Sequence, residues 1–125
     1  MMQEEIKNLY AEEKPTVTYM VENVVGCKWS LTVIDLVRRG VNRPGEMEHA
    51  VPGLSAKVLN ERLRKLLRFG IVEKRSYPEA PPRVEYSLTD FGIRFVKILD
   101  AIRALELSAQ DTESAASPKR KPINV

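Results

Sequence analysis

A mainly α-helical fold carrying one small β-hairpin (α+β) is predicted by three observations. Apolar residues recur at helical spacing in five separate stretches of the 125-residue chain. Only residues 71–88 switch to the alternation expected of strands. Gly, or a Pro-Gly pair, stands at most junctions between these stretches. The length suits one domain plus tails with a modest core. At 43% hydrophobic and 30% charged residues the composition is that of a soluble globular protein, and with only 6% aromatic residues the core must be mainly aliphatic.

Residues 1–15 are a polar segment in which a helix would be marginal by itself. From 16 to 25, Val17, Met20, Val21, Val24 and Val25 follow helical spacing, with Thr16 as N-cap after Pro15. So short a helix must pack on something, and Gly26 interrupts it. A second helix over 28–39 offers Trp29, Val33, Ile34, Leu36 and Val37 to a core, places Arg38 and Arg39 in its last turn and stops at Gly40. Pro44 fits the first turn of a short third helix over 44–51 that carries Met47 and Ala50 inward. Pro52-Gly53 then makes a tight connection to Ser55, the N-cap of a fourth helix. Two short helices joined this way form a helix-turn-helix pattern.

The fourth helix has two contrasting faces. Leu59, Leu63, Leu66 and Leu67 form an apolar stripe, and Lys57, Glu61, Arg64, Lys65 and Arg68 share the opposite side. Gly70 stops it. Residues 71–77 and 83–88 are strands, and Pro78-Glu79-Ala80-Pro81-Pro82 is a stiff tip that cannot join the ladder. Thr89 caps a last helix over 90–107, with Phe91, Phe95, Ile98, Leu99, Ile102 and Leu105 as its stripe. Residues 108–125 are small, polar and without apolar period, so disorder is expected there. The folded domain is thus 16–107, and the chain has no internal repeat.

Net charge is +3, but its distribution is uneven. Residues 55–94 hold nine basic against five acidic side chains, while residues 1–26 hold two against five. The positive excess therefore sits on the fourth helix and the hairpin, the asymmetry of an electrostatic footprint on phosphate. A solvated helix face is the plain alternative. No apolar run approaches the roughly 20 residues that cross a bilayer. The acidic N-terminus, Met1-Met2-Gln3-Glu4-Glu5, is unlike a signal peptide. A single cysteine rules out an intramolecular disulfide framework and fits a reducing cytosol, so a cytoplasmic protein with no membrane partner is expected.

Several motifs occur in a characteristic order. They are Gly26-Cys27-Lys28-Trp29-Ser30, Pro52-Gly53-Leu54-Ser55-x-Lys57-Val58-Leu59-x-x-Arg62-Leu63, Gly70-Ile71-Val72-x-x-Arg75, and Tyr77-Pro78-Glu79-x-Pro81-Pro82-Arg83-Val84-Glu85-Tyr86-Ser87-Leu88-Thr89-x-x-Gly92. Over about residues 16–106 the chain resembles the HxlR-type family of winged helix-turn-helix transcription regulators. The resemblance implies a homodimer that binds double-stranded DNA at a pseudo-palindromic operator, without nucleotide or metal cofactor. The helix after Ser55 would enter the major groove, the hairpin would reach backbone or minor groove, and the first and last helices would pair the subunits. Dimer contacts are then expected from Val17, Met20, Val21, Phe95, Ile98, Leu99, Ile102 and Leu105. Independently, a stripe as long as the last helix carries is more apolar surface than one small domain readily covers.

Two departures from the family pattern stand out. Oxidant-sensing members carry a cysteine near the start of the first helix, about where Thr16 stands, and Thr16 cannot do thiol chemistry. Cys27 lies elsewhere. It is either a small packing residue or a thiol sensor whose pKa the neighbouring Lys28 could lower. The aromatic residue that usually follows the arginine at Arg43 is Pro44 here, which bears on where the third helix starts.

Arg and Lys suit guanine O6 and N7, and Asn suits adenine. Lys57, Asn60 and Arg64 are therefore candidates for base edges or nearby phosphates, because the N-terminal part of such a helix goes deepest. Ser55 and Ala56 can hold a phosphate at the first turn. Lys65 and Arg68 would meet backbone, and Lys74, Arg75 and Arg83 would make wing contacts. Glu61 could accept from cytosine or pair with Lys57 or Lys65 at i±4, the preferred reading. Arg62 is placed equally for a salt bridge or a phosphate. Tyr77 and Tyr86 pack across the hairpin, Trp29 belongs to the core, and His49 belongs at the surface.

An enzyme is not expected. The sequence has no Cys/His cluster with metal-ligand spacing and no phosphate-cradling Gly-rich loop, and nothing would orient a Cys27–His49 pair. The serious rival is a winged-helix module that binds protein, which would show apolar residues where Lys57, Arg64 and Arg68 stand. Lys119-Arg120-Lys121 in the tail could add weak DNA affinity or simply be solvated.

Overall fold

The computed structural model describes residues 15–116, with side chains as far as Asp111. The remainder of the N-terminal polar segment and the Lys119-Arg120-Lys121 cluster lie outside the described residues. Among the described residues, five helices and one hairpin follow in the order α1 Val17–Val25, α2 Ser30–Arg38, α3 Pro44–Ala50, α4 Ala56–Arg68, β1 Val72–Tyr77, β2 Arg83–Leu88 and α5 Asp90–Ala116. This is the winged helix-turn-helix arrangement that the sequence predicts.

Helix boundaries follow local chemistry. The Thr16 hydroxyl accepts from the Tyr19 amide at 3.1 Å, and Ser55 Oγ accepts from Val58 N at 3.2 Å, each satisfying an orphan donor of a first turn. Pro44 occupies the first position of α3, where its missing amide costs nothing. Gly70, at φ +74°, ends α4 in a left-handed turn, with Gly70 N donating to Leu67 O and Ile71 N to Leu66 O, both at 3.0 Å. This double bond pattern turns the chain sharply into β1. Thr89 caps α5: its hydroxyl accepts from Gly92 N at 2.8 Å and donates to Gly70 O at 2.5 Å. Gly92 is buried so close to β1 that an added Cβ would collide with the Ile71 carbonyl.

One aliphatic core joins these elements. Val24, Val33, Met47, Leu59, Leu66 and Ile71 are each 0% exposed, with Ile34, Leu36, Leu63 and Phe95 at 1%. Burying each such side chain stabilises the fold by roughly 1.5–3 kcal/mol, which is what holds the weak α1 and α3 helical. The strands pair antiparallel in the register Val72↔Leu88 to Tyr77↔Arg83. Tyr86 N donates to Asn42 O at 2.8 Å and so docks the hairpin on the α2–α3 turn.

The structure corrects three expectations and refines a fourth. Ala50 is exposed, leaving Met47 as the buried residue of α3, because a helix of under two turns turns only one position fully inward. The last helix does not stop at Leu107. It continues to Ala116, since 108–116 holds no Gly or Pro to break a helix, although Ser108–Asp111 are exposed. Trp29 packs against the core as expected while remaining half-buried, with the Lys28 ammonium 5.2 Å from its ring centre. Met20, Phe95 and Leu99, expected at a subunit contact, are 4%, 1% and 3% exposed within the subunit's own core. A helical stripe shows which residues leave water, not whether the cover comes from the same chain.

α2 and α5 are also joined by paired ions. Arg38 donates to both carboxylate oxygens of Asp100 at 2.9 and 3.0 Å. Arg103 does the same to Asp35 at 3.4 and 3.1 Å. The Arg38 hydrogen bond holds the Asp100 carboxyl below its ordinary range, and Asp100 raises Arg38 in return.

Candidate nucleic-acid interface

α4 presents one face of polar and cationic groups. With about 100° between successive residues, Lys57, Asn60, Glu61, Arg64 and Arg68 fall within one sector, opposite the buried Leu59, Leu63 and Leu66. All five are exposed, as are Ser55 and Ala56 at the helix start. Among the described residues, the ion pairs involve neither Lys57 nor Arg64, so both cations are available. Glu61 lies 3.8 Å from Arg62 rather than pairing at i±4 as expected. Arg68 sits near the helix end with its guanidinium 5.9 Å over the Phe69 ring, which Tyr19 of α1 meets edge-on.

Lys65 is turned away from this face. It is half-buried, and its ammonium donates to Asn23 O at 3.1 Å and to Cys27 Sγ at 2.8 Å. Lys65, expected to meet DNA backbone, is thus bonded within the subunit in this structure. It lies about 80° round the helix from Lys57, enough to reach the α1–α2 corner instead of solvent. Arg62, on the same flank, donates from Nε to the Lys28 carbonyl at 2.8 Å and lies 3.8 Å from Glu61.

Cys27 is lowered from its ordinary thiol value by the Lys65 hydrogen bond first, with the positive charges of Lys65 and Arg62 adding and partial burial opposing. The source of that effect is not Lys28, whose ammonium lies over Trp29. His49 is exposed in the last turn of α3.

The hairpin divides its cations in the same way. Lys74 and Arg75 are exposed on β1. Arg83 is half-buried, stacked 4.0 Å over the ring of Tyr77, its cross-strand partner. Its Nε lies 2.9 Å from Glu79 and its terminal nitrogen 3.4 Å from Glu85, which Arg43 also reaches at 3.5 Å. Arg83, expected to make a wing contact, is thus engaged in a brace that ties the proline tip to the start of α3. Tyr86 is 8% exposed at the seam between hairpin and α4; burial raises its phenol, and the nearby charge of Arg64 opposes that rise.

An exposed cationic helix, preceded by a short helix and a tight turn and flanked by a braced hairpin, defines a winged helix-turn-helix protein. Residues 24–113 match the HxlR-like helix-turn-helix family, and the chain belongs to that family. An HTH-type transcriptional regulator of Synechocystis is 40% identical over 94 residues, covering 75% of this chain and 70% of its own. The YvaP regulator of Bacillus subtilis is 39% identical over 80 residues, covering 64% and 74%. Among solved structures, a MarR-family transcriptional regulator of Enterococcus faecalis superposes with a TM-score of 0.71 at 29% identity, covering 85% of this chain and 96% of its own. Reduced YodB of B. subtilis gives 0.65 at 25% identity, covering 86% and 100%. The protein is a transcriptional regulator of the winged-helix type, and the family and these relatives are regulators rather than enzymes.

Among the described residues, no group of three or more His, Cys, Asp and Glu could hold a metal ion. No helix there is long and apolar enough to cross a membrane.

Proposed function

We propose that the protein is a cytoplasmic, sequence-specific DNA-binding regulator that acts as a homodimer on a pseudo-palindromic operator. The exposed face formed by Lys57, Asn60 and Arg64 carries this reading, because its two cations have no ion-pair partner within the described subunit. In the groove these side chains meet base edges. Ser55 and Ala56 bring the α4 N-terminus to a phosphate, and Arg68, Lys74 and Arg75 meet backbone. A protein-binding groove on the same helix is disfavoured. Among the described residues, the large apolar side chains that remain exposed are Val17, Tyr19, Val25, Ile93, Ile98, Leu105 and Leu107, none of them on α4.

Those residues support the dimer instead. Val17 and Ile98 are 41% exposed and Leu105 71%, and Val21 and Ile102 are half-buried beside them in sequence. Among the described residues, Leu105 and Leu107 in the later part of α5 are 71% and 62% exposed. Selection of bound sites from random DNA tests the whole reading. Two half-sites in inverted repeat are expected, and enrichment of no sequence would sink it.

A second reading, thiol-responsive regulation, is favoured by one observation: the Lys65 ammonium 2.8 Å from Cys27 Sγ, which increases the thiolate fraction. Solved relatives include reduced and diamide-treated YodB and the redox regulator HypR in both its oxidised and its reduced form. On this reading the Cys27 thiolate attacks peroxide, breaking its O–O bond to give the sulfenic acid and hydroxide, and operator affinity falls. Equal peroxide responses from wild type and Cys27→Ser would exclude it.

A further inference from the structure

The α1–α2 corner and α4 are linked by contacts that a DNA-reading surface does not need. α1 has no basic residue in its last turn, so its terminal carbonyls have no cation of their own. Lys65, 42 residues away in sequence, supplies one by donating to Asn23 O at 3.1 Å. The same ammonium reaches Cys27 Sγ in the corner at 2.8 Å. One turn earlier on α4, Arg62 donates to Lys28 O at 2.8 Å.

That last carbonyl precedes an uncommon backbone. Trp29 is at φ +76°, in the left-handed region, and begins α2 without a side-chain cap. A bulky residue persists there only where its surroundings hold it. Arg62 fixes the peptide on one side. On the other, the Trp29 ring packs against Gly53, where an added Cβ would lie 3.8 Å from it, in the turn that leads into α4. The corner is therefore held from both the middle of α4 and the turn before it.

We propose that Lys65 and Arg62 are positioning residues: they latch α4 to the end of α1, so that the angle of the DNA-reading face follows the helix that carries part of the subunit contact. This rests on the DNA-binding reading above. It differs from a direct role in a measurable way, because a latch touches no phosphate. Removing it lowers specific affinity and leaves the ionic component of binding intact.

The test uses the full-length protein with Lys65→Met, Lys65→Arg and, should the Met variant not fold, Lys65→Gln. Anisotropy titrations on the selected operator and on random duplex are run across a salt series. For Lys65→Met or Gln we expect operator affinity to fall about tenfold, the size of one missing charge-assisted hydrogen bond, with random-duplex affinity and salt slope unchanged. Lys65→Arg keeps the cation and should restore most of the operator affinity. A shallower slope by about 0.9, with both affinities falling together, would make Lys65 a phosphate contact and overturn the latch. Unchanged operator affinity would overturn it too. Amide hydrogen exchange over residues 22–28 gives a readout without DNA: faster exchange in Lys65→Met supports the latch and unchanged exchange refutes it. Wild-type protein that binds no duplex at all would instead remove the DNA reading.

Discussion

Arg64 and Lys65 are adjacent cations on one helix, and about 100° of rotation gives them opposite surroundings. Arg64 is exposed beside the hairpin, whereas Lys65 is bonded into the α1–α2 corner. Arg64→Ala should therefore weaken specific operator binding by about 1–3 kcal/mol, and an unaltered gel-shift titration would remove Arg64 from the site. Two apolar positions test the packing. Leu63, 1% exposed, should cost about 2–5 kcal/mol when cut to Ala, read by chemical denaturation. Gly92→Ala forces a Cβ onto the Ile71 carbonyl and should cost about 1–3 kcal/mol; an unchanged midpoint would show that α5 can shift away from β1 freely.

At the scale of elements, the hairpin and the α2–α5 pair are both organised by ions. Lys74→Ala or Arg75→Ala should weaken operator and random DNA alike, and removing one cation from a phosphate should flatten the salt slope by about 0.9. A steady slope would mean the wing does not touch the backbone. Asp100 tests the other pair. Its folded pKa lies below the ordinary 3.8 because Arg38 favours the carboxylate. Its contribution is thus complete above that ordinary value and disappears as pH falls through the lower folded one. Asp100→Asn should lower the melting temperature at neutral pH, with the gap to wild type closing below pH 3.8. A gap that ignores pH would show the ion pair to be without effect.

For the whole molecule, the exposed large apolar side chains among the described residues lie on α1 and α5, while the cations proposed to meet DNA lie on α4 and β1. On the proposed reading, self-association and DNA contact would therefore use different surfaces. Leu105→Glu together with Ile98→Glu should yield a folded monomer in sedimentation equilibrium and abolish tight operator binding. A double variant that still sediments as a dimer would locate the subunit contact elsewhere.

Element order, caps and stops were written in the sequence because they depend on neighbours a few residues apart: Thr16, Ser55, Thr89 and Gly70 each act on their own turn. The cationic face of α4 was legible for the same reason, as helical rotation alone groups Lys57, Asn60 and Arg64. What the sequence left open was every contact that closes over tens of residues. Lys65 meets Cys27 across 38 positions and Arg38 meets Asp100 across 62. The repeated Asp-x-x-Arg of residues 35–38 and 100–103 was a visible hint of the second. Nothing local marked the first. Spacing fixes the direction in which a side chain leaves its helix, but the groups waiting there arrive by folding, so tertiary structure alone decided which cations face solvent and which apolar residues were already covered.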